Sequence, residues 1–89
     1  MAALTSGVNF VKMHDSGDSE RTVLYALRRV TAGDTADLST DFNPPLRGAL
    51  VGTTLAGAVV VASIAANTVT IPAGPSNDAG YLLVYGVHA

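Results

Sequence analysis

A chain of 89 residues forms a single domain and buries only roughly 60–65% of its unfolded surface. With no cysteine it has neither disulfides nor thiolate metal sites to supplement that core, which leaves association with other protein as the usual supplement. Charged residues make up 13% of a chain that is 48% hydrophobic, and five basic residues against seven acidic ones give no electrostatic case for nucleic acid.

The start of the chain, MAALTSGVNFVKMH, has no basic n-region and no long apolar run, so no signal peptide is expected. Residues 2–13 read as a loosely patterned arm. Val8 and Phe10 alternate with Asn9, which allows a short strand there. HDSGDSE, residues 14–20, is polar around a glycine and reads as a turn. This divides the chain into an arm with its polar loop, 1–20, and a β-domain, 21–89.

Arg21 to Thr31 is the first firm strand. Val23, Tyr25 and Leu27 fall on one face, and Leu24, Ala26 and Val30 on the other. Apolar residues on both faces suit a strand covered on both sides. YALRR has helical propensity, but the β-branched start and the AGDT stop favour a strand. Gly33-Asp34 makes a tight turn, and Ala36-Asp37-Leu38 is a short return. DFNPP, 41–45, is a corner, because each residue before a proline is pushed out of the helical region. Phe42 is expected to plug the core there.

Strands are expected at Leu46–Thr53, Ala58–Ile64, Thr68–Ile71 and Ala79–Val87. Turns at 54–57 and 65–67 and a loop at 72–78 separate them. In the last strand Tyr81, Leu83, Tyr85 and Val87 share one face, and Leu82 and Val84 the other. Strands at this spacing predict an all-β fold, a small antiparallel β-sandwich or barrel-like domain with an extended N-terminal arm. Residues 46–66 have the length and hydropathy of a membrane helix, with Gly48 and Gly52 at small-xxx-small spacing. Glycines placed where turns fall, and the absence of flanking basic clusters, favour strand–turn–strand instead.

Sites of chemistry are sparse. His14, Asp15, Asp18 and Glu20 share one loop, but their spacing does not fit a calcium loop, and a solvated turn is the simpler reading. His14 and Ser16 lack any strained elbow for nucleophilic catalysis, and no phosphate loop is present. We therefore expect no enzyme activity, no cofactor and no metal. Arg28-Arg29 reads either as two solvated side chains or as one side of a subunit ion pair with Asp34, Asp37 or Asp41. Val8, Phe10, Arg28, Arg29, Tyr81 and Tyr85 are the interface candidates. Tyr81 and Tyr85 read as ordinary packing residues that would anchor an interface if exposed.

The chain also resembles a family. Gly33-Asp34-Thr35 followed by Asp37-Leu38 and Phe42, the stretch Asn67 to Gly74 (NTVTIPAG), and a closing strand ending in Tyr85-Gly86 resemble small virion proteins of tailed bacteriophages. The likeness covers about residues 21–88 and is greatest to head decoration, or cement, proteins. It implies a β-rich structural protein on the outer surface of the capsid, made in the host cytoplasm. Its partners would be the major capsid protein and further copies of itself, often as a trimer. Neither nucleic acid nor membrane is an expected partner. The alternatives are a tail, fibre or head-completion protein and, resting on residues 46–66, a small holin-like membrane protein.

Overall fold

Residues 2–54 and 58–89 are described by a computed structural model. Eight strands run β1 (Phe10–Asp15), β2 (Glu20–Val30), β3 (Thr35–Asp37), β4 (Phe42–Thr53), β5 (Val59–Val61), β6 (Ser63–Ala65), β7 (Thr68–Thr70) and β8 (Asp78–His88). They form two antiparallel sheets, ordered β1-β2-β8-β4-β5 and β3-β7-β6. The fold is the all-β sandwich-like arrangement that the strand spacing predicts. The run 46–66 belongs to β4, β5 and β6 where it is described, and no described helix is long and apolar enough to cross a membrane.

The core lies between the sheets, and alternation with period two fills it. From the large sheet come Val23, Tyr25 and Leu27 of β2, Leu82 and Val84 of β8, and Ala49 and Val51 of β4, all buried. The small sheet contributes Ala36 and Val69, opposite each other in register, with Ile64 beside them. Phe42 and Leu46 fill the space over Gly86, where an added Cβ would lie 3.0 Å from the Phe42 ring.

Three features depart from simple alternation. In β2 the pairing with β8 slips between Leu27 and Val30, and Arg29 takes a left-handed conformation (φ 53°). The bulge turns Val30, expected on the face of Leu24 and Ala26, back into the core at 0% exposure. Pro44 and Pro45 have no N–H to donate, and the β4–β8 ladder lapses between Asn43 and Gly48. Ala58–Ile64, expected as one strand, is divided between the two sheets. β5 pairs with β4 in the large sheet and β6 with β7 in the small one, with buried Ala62 at the crossover. The turn expected at 54–57 lies outside the described residues beyond Thr54.

The arm is shorter than expected. Residues 10–15, placed by the sequence pattern in the arm and its polar loop, form the outer strand of the large sheet. The preceding residues are fixed to the chain's own small sheet. Ala3 bridges Thr35 in parallel, the Leu4 amide donates to the Thr35 carbonyl at 2.7 Å, and the Ala2 amide donates to the Asp34 carboxylate at 3.0 Å.

β8 pairs with β2 on one side and β4 on the other, and Gly80 is where the backbones crowd. A Cβ there would stand 2.1 Å from the Gly52 carbonyl oxygen, closer than atoms can approach. Gly48 faces open space at the same kind of position. Gly80→Ala is therefore expected to cost about 2–3 kcal/mol and lower Tm by roughly 10 °C or more. Gly48→Ala is expected to change Tm by no more than a few degrees. Thermal melts followed by circular dichroism compare the two.

Candidate functional site

The two sheets differ on their outer faces. The small sheet presents Thr35, Thr70 and Ser63 in one row and Asp37, Thr68 and Ala65 in the next, a polar surface suited to water. The large sheet presents apolar rows. Register aligns Val11, Ala26, Tyr81, Gly52 and Val59 in one row, and Leu24, Leu83, Leu50 and Val61 in the next, with His14 of β1 at its outer end. A third row holds Thr22, Tyr85 and Gly48.

Seven of the ten exposed large hydrophobic residues described lie on this face, the exceptions being Val8, Met13 and Val60. Val61 is 72% exposed and Tyr81 56%. Isolated exposed apolar residues are ordinary, but a contiguous patch marks a surface used for association. The sequence pattern of β2 suits a strand covered on both sides, yet within one copy only the inner side is covered.

Relief on the face comes from glycine. Gly48 and Gly52 leave hollows in β4 directly opposite Tyr85 and Tyr81 of β8. A shallow apolar groove follows, lined by Gly48, Leu50, Val61, Leu83 and Tyr85. A polar group bounds it at one end, where Arg47 donates to Glu20 at 2.6 Å and the Tyr85 hydroxyl lies 3.4 Å from the same carboxylate.

A charged cluster sits at the β1 side of the molecule. Arg21, 5% exposed, continues the inward series of Val23, Tyr25 and Leu27. Its guanidinium forms a two-pronged pair with Asp15, one contact being Nε to Oδ1 at 2.8 Å, and donates to the Asp41 carbonyl at 2.6 Å. It also lies over the Phe42 ring, 5.8 Å from its centre. Asp41 accepts from Lys12 at 2.8 Å and from the Tyr25 hydroxyl at 2.7 Å. The Arg21 hydrogen bond, against some burial and with help from the Gly17 amide, holds the Asp15 carboxyl well below the usual carboxylate range. Burial acts to raise Asp41, but bonds from Lys12 and Tyr25 overcome it and lower its pKa. Burial, followed by the bond to Asp41, pushes the Tyr25 phenol up.

The interface candidates separate into three places. Tyr81 and Tyr85 stand on the apolar face at 56% and 40% exposure. Val8, Arg28 and Arg29 gather at one end, since the Arg28 amide donates to the Asn9 carbonyl and the Asn9 side chain returns a bond to the Arg28 carbonyl. Phe10 is not a surface residue: at 4% exposure it packs edge-on against Tyr25, ring centres 5.7 Å apart, because β1 places it inward. Among the described residues of one copy Arg28 and Arg29 make no ion pair, and the pair considered for them is one between subunits. Asp34 binds the Ala2 and Thr31 amides, Asp37 the Ser39 amide, and Asp41 the cluster. The bulge sends both arginines outward.

No group of three or more possible metal ligands is found among the described residues. Sequence reasoning passed over Leu50, Val59, Val61 and Leu83 as surface residues, although the even-numbered series Gly48–Gly52 and the odd-numbered series of β8 carried the signal. It also passed over Arg21, whose place in the series 21, 23, 25, 27 required an acidic partner at the edge of the core.

Asp15 and Asp41 have lowered folded-state pKa values, so their stabilisation is complete above the unfolded carboxylate range and is lost as pH falls below about 4. Asp15→Asn is expected to lower Tm at pH 7, with the deficit against wild type shrinking steadily from pH 4 towards pH 2. Melts across that range measure it, and a deficit independent of pH would contradict the ionic role. No protein-family model, curated protein or solved structure matches the chain, so the surface geometry carries the functional reading.

Proposed function

We propose that this chain is a structural virion protein of a tailed bacteriophage, a decoration protein that binds the outer head shell and stabilises it. The observation that carries the reading is the apolar outer face of the large sheet, in a chain with only 13% charged residues. Such a surface suits a protein that works while covered by other protein. The resemblance of residues 21–88 to cement proteins supplies the virion context.

The end of the sandwich bearing Val8, Arg28 and Arg29 is the proposed contact with the shell. Both arginines are exposed, and neither makes an ion pair among the described residues. A weak contact of this kind suffices when an oligomer engages several capsomers together, because the second attachment is intramolecular.

Quantitative mass spectrometry of purified particles tests the reading through the ratio of this chain to the major capsid protein. A ratio near one, or a simple fraction of it, is expected. A handful of copies per particle would move the chain to the tail or a unique vertex, and absence from the particle would overturn the virion reading. The Arg28→Glu, Arg29→Glu double variant should keep its melting curve and lose at least tenfold in shell affinity, with the wild-type affinity falling as salt rises.

A further inference from the structure

The outer face of the large sheet has a geometry that selects its occupant. It carries protrusions and hollows together. Tyr81 and Tyr85 stand out from β8, while Gly48 and Gly52 leave gaps beside them in β4. A surface with both is complementary to itself when turned about a two-fold axis, which is the requirement for an isologous contact.

We propose that this face docks on the same face of a second copy, with Tyr81 and Tyr85 of each seated over the Gly48 and Gly52 hollows of the other. The pairing goes beyond the virion reading and does not depend on it. Two further observations support it. First, the apolar surface is concentrated in one patch: the small sheet's outer face is polar, and seven of the ten exposed large hydrophobics described lie here. A three-fold ring needs two different adhesive surfaces on each copy, whereas a two-fold pair needs one. Second, the area is that of a weak, reversible contact. The three rows hold five, five and three positions, each covering about 4.8 Å by 7 Å, a footprint on the order of 400 Å². Two such faces remove on the order of 800 Å² from water, the size of a transient interface. Sheets stacked this way pack about 10 Å apart, and the strands of both copies become covered on both sides, as the sequence of β2 asks.

Sedimentation equilibrium of the full chain from ~1 to ~200 μM tests the pairing, a range that spans micromolar and weaker association. The expected result is a monomer–dimer equilibrium. Leu83→Glu, at the centre of the face, should weaken it by at least about 30-fold. Gly48→Lys provides a second variant. An added Cβ at Gly48 meets nothing within 4 Å, so the fold is retained while the hollow is filled. Ser63→Glu, on the polar face, should leave the dimer unchanged. Unchanged circular dichroism checks that each variant is folded. A wild-type chain that stays monomeric to ~200 μM overturns the proposal, as does a trimer, or a dimer that survives both Leu83→Glu and Gly48→Lys. If the monomeric outcome is joined by loss of shell binding in Leu83→Glu, the face belongs to the shell and the virion reading stands without the dimer.

Discussion

The register of β8 is the constraint on which the structure rests. This strand is hydrogen-bonded on both sides, and its side chains alternate without interruption from Tyr81 to Tyr85. A slip of one residue would put Tyr81, Leu83 and Tyr85 into a core sized for Leu82 and Val84. Gly80 fixes the register from one end, because only a residue without a Cβ fits against the β4 backbone. Gly86 fixes it from the other, where Phe42 and Leu46 occupy the space its side chain would need. The core and the outer face are therefore two consequences of one register.

The strands of the sandwich were legible because alternation is a direct record of which side faces the core. Val23, Tyr25 and Leu27, or Leu82 and Val84, need no further information to be placed. What escaped were the positions where the backbone breaks the period. The bulge at Arg28-Arg29 reverses the facing of Val30, and nothing in TVLYALRRV marks it. The crossover at Ala62 divides a run that reads as one apolar strand, since the two halves differ in their neighbours and not in their composition. Phe10 falls in the loosely patterned arm by its sequence, yet β1 needs only six residues, two of them charged, at a sheet edge.

The apolar face was half legible. Tyr81, Leu83 and Tyr85 share a parity in the sequence, but so do Leu82 and Val84, and parity alone does not say which set is inside. The small sheet decides it, by lying over Leu82 and Val84. The charged cluster follows similar logic. Three of the five basic residues, Lys12, Arg21 and Arg47, are held in ion pairs with Asp15, Asp41 and Glu20. The cluster joins β1 and β2 to the start of β4, so the few charges of this chain tie the sandwich together at one side.

The strand edges bear on whether such an apolar chain can add to itself strand by strand. An exposed edge invites strand after strand to add without limit. Here β5 and β6 have three residues each, β1 carries Lys12, His14 and Asp15 and an irregular register, and Ala3 lies along β3. Growth by backbone hydrogen bonding is blunted at every one of these edges. The exposed apolar side chains lie instead on a sheet face, where a contact does not extend the hydrogen-bonded ladder. A chain of 48% hydrophobic composition thus offers, among its described residues, no long open strand as a template for chain-to-chain growth.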